Sequence, residues 1–101
     1  MAEQLLGHVE VDRQLADLQG WQRSGERLTR TWQVKGFNGA MQLANLVAYV
    51  ANYRNHHPDI TVHDYNQVTV SVTTHDAGGL THHDVALARA VNATAEAPGQ
   101  E

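Results

Sequence analysis

The stretch Asp59-Ile60-Thr61-Val62-His63-Asp64-Tyr65-Asn66-Gln67-Val68-Thr69-Val70-Ser71-Val72-Thr73-Thr74 decides the fold. Val68, Val70 and Val72 alternate with Thr69, Ser71 and Thr73, so 67–74 reads as a strand buried on one face only. Residues 59–62 read as a shorter strand before it, and His63-Asp64-Tyr65-Asn66 as the turn. The pair forms an antiparallel hairpin whose register sets position 56 opposite position 74.

Outward from this hairpin, Pro58 biases His57 away from helical geometry and ends a long helix before it. That helix runs from Asn38, whose side chain can cap it, to about residue 53. Ala40, Leu43, Ala44, Val47, Val50 and Ala51 form its apolar stripe. Earlier, 21–23 and 26–34 flank the turn pair Ser24-Gly25, with Leu28, Trp32 and Val34 alternating against Arg27, Thr29, Thr31 and Gln33. Arg30 falls on the apolar side, where it either snorkels at the sheet margin or is a paired, buried cation. A first helix is expected over 9–19 on the spacing of Val11, Leu15 and Leu18, with Gly20 suited to a left-handed end. Beyond the strand, Ala77-Gly78-Gly79 breaks the chain and Thr81 opens a last helix. Its hydroxyl can accept from the Asp84 N–H while the Asp84 carboxylate reaches back, with Leu80 and Val85 as the hydrophobic staple. That helix continues through Leu87, Ala88 and Val91 to a tail expected to fray from about residue 97. The order α-β-β-α-β-β-α predicts an α+β fold: a four-stranded antiparallel sheet with three helices on one face, as one domain over 1–101. The other sheet face carries Thr, Ser and charged groups, solvated or set against a symmetry mate.

At 101 residues, 42% hydrophobic and 18% charged, the chain has the composition of one globular domain. Seven Lys and Arg against eleven Asp and Glu give a net charge of -4, which leaves no basic stripe for nucleic acid. The absence of cysteine removes disulfides, thiolate metal sites and a Cys nucleophile. No run approaches the ~20 apolar residues of a membrane span, and the first residues lack a basic start, so a cytoplasmic location is expected. The sequon Asn92-Ala93-Thr94 is read as chance.

Six of the seven histidines lie in one part of the chain: His56, His57, His63, His75, His82 and His83. The hairpin register makes His56 and His75 neighbours at its open end, and Asp84 begins the next helix close by. Two imidazoles beside a carboxylate suit general acid–base chemistry, one ring neutral as base and the other cationic as acid. A carboxylate would fix one ring's tautomer. His82 and His83, at the first positions of a helix, read as solvated, as do His63 and His8, and Asp84 is equally explained as a helix cap. A metal held by His56, His75 and a carboxylate is the rival use of the cluster.

These residues also carry a resemblance. Asn55-His56-His57-Pro58, followed by Tyr65, His75 and Asp84, resembles the signature of the pterin-4a-carbinolamine dehydratases. So do Leu18-Gln19-Gly20-Trp21, Arg30-Thr31-Trp32-Gln33-Val34, Gly36-Phe37-Asn38-Gly39-Ala40-Met41 and Thr74-His75-Asp76-Ala77-Gly78-Gly79-Leu80-Thr81, over nearly the whole chain. The resemblance implies the same sheet and helices, assembled as a dimer or tetramer. It implies a lyase that removes water from 4a-hydroxytetrahydropterin to give quinonoid dihydropterin, in tetrahydrobiopterin recycling, with no metal or organic cofactor. It matches His56, His57 and His75 to the three active-site histidines and Asp84 to the carboxylate. His56 and His75 take the acid–base work, and His57, Asn52, Thr74 and Asp76 contact the pterin. The family motif usually opens with an acidic residue where this chain has Asn52, which on a helix would share a face with His56. Relatives of the fold that serve as a dimerisation cofactor of a transcription factor, or in carboxysome assembly, imply an alternative, non-catalytic role.

Overall fold

A computed structural model describes residues 4–95. Three helices and four strands follow in the expected order: α1 (His8–Leu15), β1 (Gln22–Ser24), β2 (Arg27–Gln33), α2 (Gly36–Arg54), β3 (Asp59–His63), β4 (Gln67–Val72) and α3 (His82–Ala95). A 3₁₀ turn, His75–Ala77, lies between β4 and α3. The antiparallel sheet has the order β1-β2-β4-β3, so both hairpins meet along β2 and β4. Val68, Val70 and Val72 of β4 and Leu28 of β2 are fully buried and form the core with Val47 of α2, Leu87 of α3 and Leu80 from the connection before α3. At about 25 cal/mol per Å² of apolar surface, this shared layer is the main force holding helices to sheet.

The opposite face is polar and internally bonded. Arg27 reaches Asp59 at 2.8 Å and the Ser71 hydroxyl at 2.6 Å, tying three strands together. The Thr31 and Thr69 hydroxyls lie 2.8 Å apart, and the His63 ring bridges Thr69 and Asp64.

The β3–β4 ladder pairs Asp59 with Ser71 and His63 with Gln67, a register that carried onward sets 56 against 74. The turn is tighter than expected: β3 extends through His63, and Asp64 and Tyr65 take left-handed conformations. Several boundaries also move. Helix α1 stops at Leu15, because residues 16–21 close in i-to-i−3 turns that drop Leu18 and Trp21 into the core. Gly20 keeps its left-handed role, at φ 88°. The first hairpin turns at Gly25-Glu26 rather than Ser24-Gly25, with Gly25 at φ 61°. Asn38 does not cap α2: the helix begins two residues earlier, at Gly36, and Lys35 precedes it without a side-chain cap bond.

Arg30 is half-buried rather than snorkelling freely. Its guanidinium donates to the Gln19 carbonyl at 2.9 Å and the Asn92 amide oxygen at 2.7 Å, and lies 4.4 Å from the centre of the Trp32 ring. Trp21 Nε1 donates to the same Asn92 oxygen, so the sequon asparagine ties α3 to the sheet. The tail from residue 97 lies outside the described residues.

Candidate active site

The end of α2 sets the first wall of the site. Asn55 adopts φ 53°, ψ 43°, and the backbone N–H groups of Asn55 and His56 return to the Asn52 and Ala51 carbonyls, a Schellman closure. Asparagine tolerates this left-handed geometry better than most residues. The reversal throws His56 inward and His57 back over the helix. His57 Nε2 therefore donates to the Asn52 side-chain oxygen at 3.0 Å. Asn52 serves His57, not His56; helical spacing from 52 to 56 fails because the helix has already ended.

The second wall comes from the loop after β4. Thr74 bridges to Gly79 across the 3₁₀ turn, which holds His75 and Asp76 at the surface. The third comes from the start of α3. Leu80 and Val85 are buried there as a staple requires. The Asp84 carboxylate reaches back to the Thr81 N–H at 2.8 Å, while the Thr81 hydroxyl accepts from His83 N–H rather than from Asp84 N–H.

Asp84 does more than cap. It is completely buried, with one oxygen on His56 Nε2 at 2.8 Å and the other accepting from the Thr74 hydroxyl at 2.7 Å as well as from Thr81. A carboxylate oxygen accepts, so His56 donates from Nε2, and the neutral ring then has no proton on Nδ1. The Thr74 and Thr81 hydroxyls, 2.8 Å apart, complete a closed polar knot beneath the cleft.

Above this knot lies a cleft of about 550 Å³, lined by Arg54, Asn55, His56, His57, Thr73, Thr74, His75, Asp76 and His83. His56, His57 and His75 are thus brought to one cavity with Thr74 and Asp76, while Asp84 is the floor and Asn52 supports His57 from the side. No hydrogen bond or ring contact joins His56 to His75 among the described residues; the ring beside His56 is His83, at 5.7 Å between centroids. His83, expected to be solvated, is half-buried in the cleft wall. The signal for it was its place one residue before Asp84, about 100° round the helix: a turn that aims Asp84 at the floor leaves His83 on the adjoining wall. His82 is exposed as expected and stacks on His83 at 4.2 Å. Among the described residues, no three His, Asp or Glu side chains are placed to share a metal ion, and no helix is long and apolar enough to cross a membrane.

Comparison with known proteins agrees with this architecture. Residues 4–94 match the family described as pterin 4 alpha carbinolamine dehydratase. A protein of Thermomicrobium roseum, provisionally named pterin-4-alpha-carbinolamine dehydratase, is 49% identical over 75 residues, 74% of this chain and 80% of its own. One of Thermosynechococcus vestitus with the same provisional name is 40% identical over 92 residues, 91% of this chain and 95% of its own. Among solved structures, a Brucella melitensis protein described as a transcriptional coactivator/pterin dehydratase superposes with a TM-score of 0.83 at 34% identity, covering 91% of this chain and 99% of that one. A pterin dehydratase-like protein described as a RuBisCO assembly factor in the alpha-carboxysome shares the fold, with a TM-score of 0.59 at 17% identity over 76% of this chain and 88% of that one. The matched span takes in the hairpin, the cleft and the buried carboxylate alike, and this chain belongs to the pterin 4 alpha carbinolamine dehydratase family.

Proposed function

We propose that the protein is a 4a-hydroxytetrahydropterin dehydratase working by histidine acid–base catalysis. The observation that carries the reading is the fully buried Asp84 holding His56 from below, in a cleft that His57 and His75 also line. The cavity is of a size to enclose a bicyclic pterin. In the reaction one imidazole takes the proton from ring nitrogen 5 and an imidazolium protonates the hydroxyl on carbon 4a. The C4a–O bond breaks, a C4a–N5 double bond forms, and water leaves. The substrate loses one proton from nitrogen and the departing oxygen gains one, so the reaction consumes no net proton. His56 and His75 do this work, His57 contacts the pterin or its hydroxyl, and Thr74, Asp76 and Asn52 position it. Each proton transfer is worth about 100- to 10,000-fold. No metal or organic cofactor enters. The enzyme works in the cytoplasm as a homodimer or homotetramer.

Stopped-flow measurement of 4a-hydroxytetrahydropterin breakdown tests this: the wild-type protein accelerates it well above buffer, and a rate equal to buffer ends the reading. A second reading, a dehydratase-like binding or assembly protein, is favoured by one residue only. Asn52 stands where the family usually has an acid, which removes a charge beside His57. Failure of turnover together with retained pterin binding would select it.

A further inference from the structure

A second groove adjoins the cleft. It has a volume of about 370 Å³ and is lined by Gln14 of α1, Arg54 of α2, and His82, Val85, Ala86 and Arg89 along one side of α3. Arg54 lines both cavities. They are joined a second time by the stacked rings of His83, in the cleft wall, and His82, in the groove.

The groove is unusual in an acidic chain. Arg13, Arg23 and Arg27 are each paired to a carboxylate, and Arg30 is engaged by Gln19, Asn92 and Trp32. Arg54 and Arg89 have no hydrogen bond or ion pair among the described residues, both are exposed, and both line this one groove. Among the described residues no carboxylate lines it. The acid closest to it in the bonding pattern, Glu10, accepts from Gln14 but is gripped by Arg13 at 2.6 Å. Val85 and Ala86 give an apolar floor, with two guanidiniums and an imidazole around it. Guanidinium groups present a donor fork that matches phosphate and carboxylate oxygens. Arg89 lies seven residues along α3 from His82, about 10 Å of helix rise, within reach of a substituent leaving the cleft past Arg54.

We propose that this groove binds an anionic group, phosphate or carboxylate, carried on the side chain of a pterin whose ring occupies the adjoining cleft. The assignment rests on the dehydratase reading for the ring and adds the chemical class of its tail.

The test is equilibrium binding, followed by fluorescence, of 7,8-dihydrobiopterin, whose side chain is uncharged, beside 7,8-dihydroneopterin triphosphate and 7,8-dihydrofolate. At low salt an anionic pterin binds the wild-type protein about tenfold or more tightly than the neutral one, the expectation for one added charge-assisted contact. The preference shrinks as salt is raised. Arg89→Gln abolishes it while leaving the neutral ligand's affinity unchanged, and Arg89→Glu reverses it. The phosphate and carboxylate arms identify which anion is read. Equal binding of all three pterins by the wild type, or a preference that survives Arg89→Gln, overturns the proposal and leaves the dehydratase reading standing. Failure of all three pterins to bind removes that reading, and the proposal with it.

Discussion

Asp84→Asn is the substitution whose consequences the geometry fixes most closely. Asp84 accepts three hydrogen bonds with no exposure to water: His56 Nε2 on one oxygen, the Thr74 hydroxyl and Thr81 N–H on the other. Asparagine keeps the shape and one acceptor. If that oxygen stays with Thr74 and Thr81, the amide NH₂ meets His56 Nε2, and two donors face each other unless His56 moves its proton to Nδ1. Nδ1 then carries the proton of the neutral ring, which reverses the protonation pattern that Asp84 sets on His56. The loss of one charge-assisted bond costs about 1.5–3 kcal/mol. For a domain of this size that lowers Tm by roughly 6–24 °C. Turnover falls about 100- to 10,000-fold, the worth of one positioned proton transfer. Asp84→Ala strands all three donors and costs about 3–5 kcal/mol, a large share of the ~5–15 kcal/mol holding a domain together. The asparagine variant therefore tests catalysis and the alanine variant tests folding. Thermal unfolding by circular dichroism beside stopped-flow kinetics reads both. A cooperatively folded Asp84→Asn protein within about threefold of wild-type kcat would refute the reasoning, because His56 would then need no carboxylate to set its tautomer.

Three further outcomes follow from other contacts. Asn52→Ala removes the amide oxygen that His57 Nε2 meets at 3.0 Å, a contact worth about 0.5–1.5 kcal/mol; the KM for the pterin rises by about 2- to 10-fold with kcat little changed, and an unchanged KM contradicts the contact's role in positioning. Gly20→Ala forces a β-carbon into a left-handed backbone at φ 88° and against the Arg30 guanidinium; it costs about 1–2 kcal/mol from the backbone alone, read as a lower urea midpoint at unchanged m, and a neutral effect would contradict the left-handed strain at this position. The hydrogen bond from Arg23 holds the Asp12 carboxyl below its ordinary value, so the pair contributes above the carboxylate range and loses its effect as pH falls through it. Arg23→Ala accordingly lowers Tm at pH 7, and the gap to wild type closes below about pH 4; a gap independent of pH would place the effect elsewhere.

The sheet was legible because its signal is periodic. Val68, Val70 and Val72, with Leu28 and Trp32, mark one face by alternation alone, and once the turn is located the pairing of 59 with 71 follows arithmetically. The short connection after β4 likewise put Asp84 near His56 and His75, and family resemblance added the expectation that His57, Asn52, Thr74 and Asp76 contact a pterin. What escaped is governed by single backbone torsions. The left-handed turn at Asn55 decides that Asn52 meets His57, and nothing in the spacing of 52 and 56 announces it. The end of α1 escaped for a related reason: Leu15 and Leu18 satisfy the helical period, but the chain reaches Leu18 through tight turns that keep it buried without continuing the helix. His83 was hidden by its position at a helix start, where most side chains face water. The boundary of β4 moved because Thr74 leaves the ladder to bridge Gly79 and to bond Asp84.

His56 and His75, from two walls of one cleft, are proposed to move the two protons of a dehydration. The rate of water loss from 4a-hydroxytetrahydropterin, measured for wild type, His56→Ala and His75→Ala under one set of conditions, addresses it without intermediaries. The expected result is a wild-type rate far above buffer, with each single variant down by about 100-fold or more and still cooperatively folded. Either variant turning over at the wild-type rate would remove that histidine from the chemistry and contradict the account.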